Sequence, residues 1–303
     1  MNAEMRGVAR APASCGELAQ GLLADSHVMV TCPIDRYATA TVVLREGAGQ
    51  VSGPVDCPKA IRAVALTLDR FGLDALDAAL SLESPIPRGK GMASSTADVV
   101  ASVAATAAAL GRAPDAELEA DIALSVEPSD GTMLPGIALF DHVGGRVRRR
   151  LGTPPPIEIL VLEFEAVLDT VAFNAIDHTT ALRSRSTSFR ESLSMIEAGI
   201  ASADAELIGR GASLSSSTYQ DVLAKPELPQ VLALAEAAGA VGVNVAHSGT
   251  AVGMLFSADA ERTEWAASQA RSRLRGLREV HRQRLIGGGS EMLCRPSRGE
   301  RRC

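Results

Sequence analysis

Hydrophobic and polar positions alternate at two periods along this 303-residue chain, and the switches between them mark out its elements. Residues 28–43 form a partly alternating, β-branched stretch, which predicts a strand, a turn and a second strand. Helical spacing follows over 58–71, where Ile61, Val64, Ala65 and Leu68 share a face and Gly72 supplies the stop. A short strand near 79–82 leads into a glycine-containing loop and then a long alanine-rich helix that closes at Gly111. Residues 115–126 predict another helix. After the turn residues EPSDGTMLPG, the run ALFDHVGG predicts a strand and a turn.

The proline cluster at 154–156 reads as a linker, and the unbroken apolar run 157–164 as a buried strand. Helices are predicted at about 189–200, 204–213 and 228–238. The segment AVGVNVAHSGTAVGMLF predicts two strands joined at a Ser-Gly-Thr turn, followed by a helix over 261–275 and a last strand over 279–286. Strands and helices mix in both halves without steady βαβ alternation, so the expected class is α+β in two domains, 1–153 and 154–287. Residues 288–303 read as a disordered tail.

Composition narrows what such a fold could do. Fifty alanines against nine aromatic residues suit helices packed closely on a sheet and disfavour a base-stacking platform. The net charge of −6 disfavours a general affinity for nucleic acid or anionic membranes. Charge is uneven, because residues 261–303 hold 11 Arg against 5 Glu, which reads as a solvated helix face with a basic end. Five cysteines without zinc-like spacing predict reduced thiols. No signal-like apolar segment opens the chain, and the apolar stretch 99–110 is too short to span a bilayer, so a soluble cytoplasmic protein is expected.

Four stretches could carry chemistry. The strongest is Pro87-Arg88-Gly89-Lys90-Gly91-Met92-Ala93-Ser94-Ser95-Thr96 at the mouth of the alanine helix. Glycines let backbone wrap a ligand, and a helix start offers unpaired N–H groups and the positive end of a dipole, so an anion fits there. The three hydroxyls can donate to phosphate or help hold Mg²⁺, and Lys90 is one of three lysines in the chain. Ordinary helix capping by Ser or Thr accounts for the same hydroxyls. The Walker A pattern is absent. In Glu127-Pro128-Ser129-Asp130-Gly131, one carboxylate could take a proton from a hydroxyl while the other orients Mg²⁺, although Asp and Glu beside Pro and Gly also form turns. The run His247-Ser248-Gly249-Thr250 fits either a plain hairpin or a close approach to phosphate, with His247 read as structural. The fourth, APASCGELAQG at 11–21, carries little alone.

The order of these pieces resembles the GHMP kinase superfamily, small-molecule kinases with an Ala-Pro to Gly-Glu segment, a central PxxxGxxSSxA phosphate loop and a late glycine motif. Within it, PASCGEL, TCPID, KGMASSTAD, EPSDG with LFDH, and GVNVAHSGT are most similar to the L-threonine kinase branch of cobalamin biosynthesis. The resemblance implies a two-domain GHMP fold, with a left-handed βαβ unit in the first domain and a ferredoxin-like second domain. It implies ATP and Mg²⁺ as cofactors and the side-chain hydroxyl of L-threonine as acceptor. Pro87, Arg88, Gly89, Lys90, Gly91, Met92, Ala93, Ser94, Ser95 and Thr96 then hold the ATP phosphates. Ser95 and Glu127 contact Mg²⁺, and Asp130 acts as general base or orienter. Ser14, Glu17, Ser248, Gly249 and Thr250 line the acceptor region.

One departure bears on the chemistry. Several relatives carry a Lys or Arg shortly after the first Ala-Pro, where this chain has Ala13 and Ser14, so Lys90 or Arg36 would have to supply the cationic clamp. Another small hydroxyl acceptor such as homoserine, and a non-catalytic ligand-binding regulator on the same fold, are the alternatives.

Overall fold

The computed structural model describes residues 4–165 and 176–294. Two long strands, β1 (Met5–Leu23) and β2 (Ser26–Glu46), form an antiparallel hairpin closed by Ala24 and Asp25. The turn expected inside 28–43 is absent. Pro33 and Asp35 instead sit where the β1–β2 register slips, a bulge that absorbs the proline without ending the strand. The unassigned segment 11–21 lies in the bulged part of β1, with slips after Pro12, Ser14 and Glu17 that re-aim successive side chains.

The rest of the first half packs on this hairpin. A short β3 (Val51–Ser52), helix α1 (Pro58–Arg70) and β4 (Leu76–Glu83) form a βαβ unit in which β3 lies parallel to β4, and β4 pairs with β2. Helices α2 (Ser94–Ala109) and α3 (Ala116–Val126) follow, the latter capped by the Asp115 carboxylate. Strand β5 (Ile137–Asp141) pairs with the start of β2 on the same edge as β4, opposite β1, and β6 (Arg148–Gly152) adds to β5.

Helix α2 explains the alanine content. Every residue from Thr96 to Ala109 is buried, so methyl groups on all faces touch α1, β1, β2 or α3. Alanine gives the best intrinsic helix propensity and loses no rotamer freedom on burial. At Gly7 on β1, an added Cβ would lie 2.2 Å from the Ala105 carbonyl oxygen, so the strand and helix backbones touch there.

The second half runs β7 (Ile157–Phe164), α4 (Thr179–Ser184), α5 (Ser186–Ser202), α6 (Ala205–Thr218), α7 (Leu228–Ala238), β8 (Gly242–Val245), β9 (Val252–Ser257), α8 (Thr263–Arg273) and β10 (Leu277–Arg284). Its strands lie antiparallel in the order β10-β7-β9-β8, the arrangement of a ferredoxin-like unit. Among the described residues one eleven-stranded sheet runs through both halves, joined where Glu17 of β1 pairs with Val245 of β8. Three apolar cores follow from this: one under α1–α3, one under α7 and α8, and a central one that includes Leu18, Ile34, Ile159 and Ile208.

The expected tail is corrected at its start. Residues 288–294 return to the first half, where β11 (Glu291–Cys294) adds to β1 and Arg10 forms an ion pair with Glu291 at 2.6 Å. The exposed edge of β1 supplied unpaired backbone groups that this segment satisfies. Residues 295–303 lie outside the described residues. No helix among the described residues is long and apolar enough to cross a membrane.

Candidate active site

The phosphate-loop candidate turns sharply on Gly89 (φ 71°), Gly91 (φ 76°) and Ala93 (φ 56°) before α2 begins. Ala93 is the helix N-cap, and no side chain caps α2. Capping by Ser or Thr is therefore not what these hydroxyls do. An alanine held in the left-handed region is strained, and the first-turn N–H groups of a buried helix face a cleft without a side-chain acceptor. Backbone donors and the dipole together make this an anion site.

The cleft has a volume of about 370 Å³. Gly89, Gly91 and Ser94–Thr96 form one wall, the start of α1 from Asp56 to Ala60 another, and Glu127, Pro128 and Asp130 a third. Ser248 closes it from the second half. Thr96 lies against the acidic loop: the Asp130 N–H donates to Thr96 Oγ1 at 3.3 Å. The Gly131 N–H donates to Thr31 Oγ1 at 3.1 Å, and the Ser129 N–H to the His142 carbonyl at 2.9 Å. The loop is thus pinned to β2, β5 and α2 rather than being a free turn.

Two carboxyl groups meet behind this loop, Asp130 lining the cleft and Glu17 buried outside its lining. Glu17, buried on β1, and Asp130 are hydrogen-bonded to each other. Burial pushes both above the ordinary carboxylate range, Glu17 far more strongly. Glu17 therefore keeps its proton and donates it towards Asp130, which stays the acceptor of the pair. Asp130 is also hydrogen-bonded by the Thr96 side chain. A carboxylate oriented in this way can receive a hydroxyl proton or hold that hydroxyl in line with an anion on the loop.

Comparison with known proteins now identifies the family. The model of the GHMP kinases N terminal domain matches residues 58–138, and that of the GHMP kinases C terminal domain matches 196–275. An L-threonine kinase of Citrobacter freundii is 32% identical over 291 residues, spanning 94% of this chain and 99% of that protein. The chain belongs to the GHMP kinases. An L-threonine kinase of Salmonella typhimurium is 34% identical, over 82% of each chain. By structure, homoserine kinase from Cytophaga hutchinsonii superposes with a TM-score of 0.74 at 18% identity, covering 95% of this chain and 98% of the other, a likeness of fold. As a GHMP kinase, the chain is a small-molecule phosphotransferase with a hydroxyl acceptor.

Within this kinase fold the residues singled out by the sequence divide. Arg88, Gly89, Gly91, Met92, Ala93, Ser94, Ser95 and Thr96 line the cleft with Glu127, Asp130 and Ser248, and Pro87 lies just outside it. The Ser95 hydroxyl donates to Glu127 Oε1, so the two expected metal contacts are adjacent. Their oxygens suit a hard divalent cation, and Ser95 and Glu127 are the residues that would hold Mg²⁺. Ser14 is fully buried with its Oγ unpartnered among the described residues, as is Glu17 Oε2.

Lys90 is a correction. Its side chain is buried and points away from the cleft, donating to the carbonyls of Phe164 at 2.6 Å and Glu165 at 3.1 Å. A desolvated ammonium needs several oxygen partners, and the end of β7 supplies them. Gly249 and Thr250 are also set back from the cleft. The N–H groups of Thr250 and Ala251 donate to the Lys90 carbonyl, and a Cβ on Gly249 would lie 2.3 Å from the Gly91 nitrogen. The late motif therefore props the phosphate loop, with Ser248 its contribution to the cleft. Arg36 donates to the Pro85 carbonyl, behind the loop, and does not line the cleft.

Sequence reasoning missed the start of α1. Asp56, Cys57 and Lys59 line the cleft, and Arg88 spans to Asp56 Oδ2 at 3.2 Å and to Cys57 Sγ at 3.0 Å. The Lys59 ammonium donates to Glu127 Oε2. The one available signal was that the helix begins Cys-Pro-Lys, placing a scarce lysine in a first turn. His247 does not line the cleft, and its Nδ1 lies 2.8 Å from both Tyr219 Oη and Gln20 Oε1.

Proposed function

We propose that this GHMP kinase transfers the γ-phosphoryl group of ATP to the side-chain hydroxyl of L-threonine, giving ADP and O-phospho-L-threonine for the aminopropanol arm of cobalamin, in the cytoplasm. The observation that carries the reading is the oriented Asp130 carboxylate beside an uncapped, glycine-turned helix start, in a chain matched along 94% of its length by an L-threonine kinase.

Each residue has a defined task. The first-turn N–H groups of α2 and the backbone of Gly89 and Gly91 bind the phosphate oxygens. Ser95 and Glu127 would hold Mg²⁺, which would neutralise phosphate charge. The acceptor oxygen approaches the γ-phosphorus from the Asp130 side, its proton passing to Asp130 as the new P–O bond forms and the bond to the ADP oxygen breaks. Phosphoryl transfer draws most of its acceleration from positioning and electrostatics, so this short set of residues is sufficient. Ser14 and Glu17 are buried and do not line the cleft, but their unpartnered Oγ and Oε2 support β1 as the backing of the acceptor side behind Asp130, since buried polar atoms ordinarily find partners.

The test is a coupled ADP-release assay with threonine, serine and homoserine. Threonine is expected to give the highest kcat/KM and a product that co-migrates with O-phosphothreonine. A higher kcat/KM for homoserine overturns the acceptor, and absence of ADP release with every hydroxy amino acid overturns the kinase mechanism assigned to this cleft.

A further inference from the structure

The cleft holds a cation whose position the phosphate loop does not explain. Glu127 is engaged at both oxygens, by the Ser95 hydroxyl on one and the Lys59 ammonium on the other. The Lys59 side chain is 46% exposed, so this is an accessible contact at the cleft wall. Pro58 opens α1 and fixes the backbone from which Lys59 projects.

The other nearby cations are committed elsewhere. Arg88 is braced by Asp56 and Cys57, with Asp98 at 3.8 Å, and Lys90 is turned into the second half. The first strand offers Ala13 and Ser14 where a positive charge would otherwise enter. A lysine, with a compact charge on a flexible stem and three donors, can leave one oxygen and reach another without moving its helix.

Resting on the kinase reading above, we infer that Lys59 alternates between two partners: it occupies the metal-binding carboxylate of Glu127 in the empty enzyme, and it contacts the transferring phosphoryl group once nucleotide is bound. The first contact neutralises the Glu127 carboxylate when no nucleotide is present. The second places a positive charge where negative charge gathers on the equatorial oxygens, delivered from α1 instead of from β1. Metal and ammonium thus compete for Glu127, and the ammonium displaced by the metal is the one the phosphoryl group needs.

The experiment compares wild type with Lys59→Met and Lys59→Arg in two independent measurements. Calorimetric titration of the nucleotide-free protein with Mn²⁺ is expected to show binding about fivefold tighter in Lys59→Met than in wild type, because a competitor has gone. Kinetics are expected to show kcat about a hundredfold lower in Lys59→Met, KM for the acceptor within about threefold, and partial recovery in Lys59→Arg. Unchanged or weaker Mn²⁺ binding in Lys59→Met overturns the competition, and a kcat within threefold of wild type overturns the phosphoryl contact. Should Lys59→Met melt early, Lys59→Gln takes its place in both measurements with the same criteria. The metal titration needs neither ATP nor acceptor, so it reports on Lys59 even if threonine proves not to be the substrate.

Discussion

Glu17 stands directly behind Asp130, one carboxyl hydrogen-bonded to the other at the point where β1 meets both β2 and β8. Burial raises Glu17 well above its ordinary range, and its hydrogen bond to Asp130 offsets part of the rise that burial imposes on that partner. Glu17→Gln retains a neutral donor and should leave the acid limb of the kcat/KM profile where it is. Glu17→Ala removes the donor while Asp130 stays desolvated, so Asp130 should bind its proton more tightly and the acid limb should move to higher pH. Asp130→Asn should lower kcat by about 10² to 10⁴ across the profile. Rate profiles from about pH 5 to 9 check all three; an acid limb unmoved in Glu17→Ala removes Glu17 from this role.

A second buried carboxylate links stability to pH. Glu119 on α3 is buried, pushed up to about 8 by desolvation, and its Oε1 accepts from the Ser290 hydroxyl at 2.6 Å. The folded state holds this proton more tightly than the unfolded chain does. Its stabilising effect is thus present in acid and is lost as pH rises from about 4.5 through about 8. Each tenfold change in proton affinity is worth about 1.4 kcal/mol, so the loss should amount to a few kcal/mol. Glu119→Gln should flatten the decline, so that its melting temperature exceeds that of wild type at about pH 9. Parallel melting curves for the two proteins across this range contradict the assignment.

The contact between the phosphate loop and the late motif leaves no room for side chains. Gly91 adopts φ 76°, and a Cβ there would lie 2.4 Å from the Ala246 Cβ. Gly249 meets the Gly91 backbone even more closely. Gly249→Ala should therefore push the loop out of register and weaken ATP binding by about tenfold or more, about 1.4 kcal/mol. Ser248→Ala, which removes one hydroxyl, should cost less. Nucleotide titrations of the two variants rank them, and the reverse order would show that the glycine contact does not hold the loop.

Much of this fold was legible because its elements follow simple periods. Helix α1, helix α3 and the run Ile157–Phe164 lie within a residue or two of their expected positions, with Asp115 capping and apolar burial agreeing with local propensity. The long hairpin was obscured where Pro33, Gly16 and the bulges interrupt alternation, although those interruptions are what turn Glu17 towards Asp130. The short strands β3, β6 and β11 carry too few residues to show a period, and pairing with a distant strand creates them. The phosphate loop and the acidic loop were recognisable as motifs. Lys59 was not, because its significance arises only when α1 is laid across the end of α3.

Lys90 tests how far a motif can be trusted over geometry. Its place between two loop glycines suggests a phosphate ligand, whereas its ammonium is buried against the Phe164 and Glu165 carbonyls and joins the loop to β7. Lys90→Met should deprive both carbonyls of a donor, at about 1 to 3 kcal/mol. For a chain of this size that corresponds to a fall in Tm of about 2 to 5 °C. Because the side chain does not reach the cleft, KM for ATP measured well below the transition should stay within about threefold. A large rise in KM for ATP at unchanged Tm would return the ammonium to the phosphates, while the expected pattern makes Lys90 the strut that keeps the first-turn amides of α2 aimed at them.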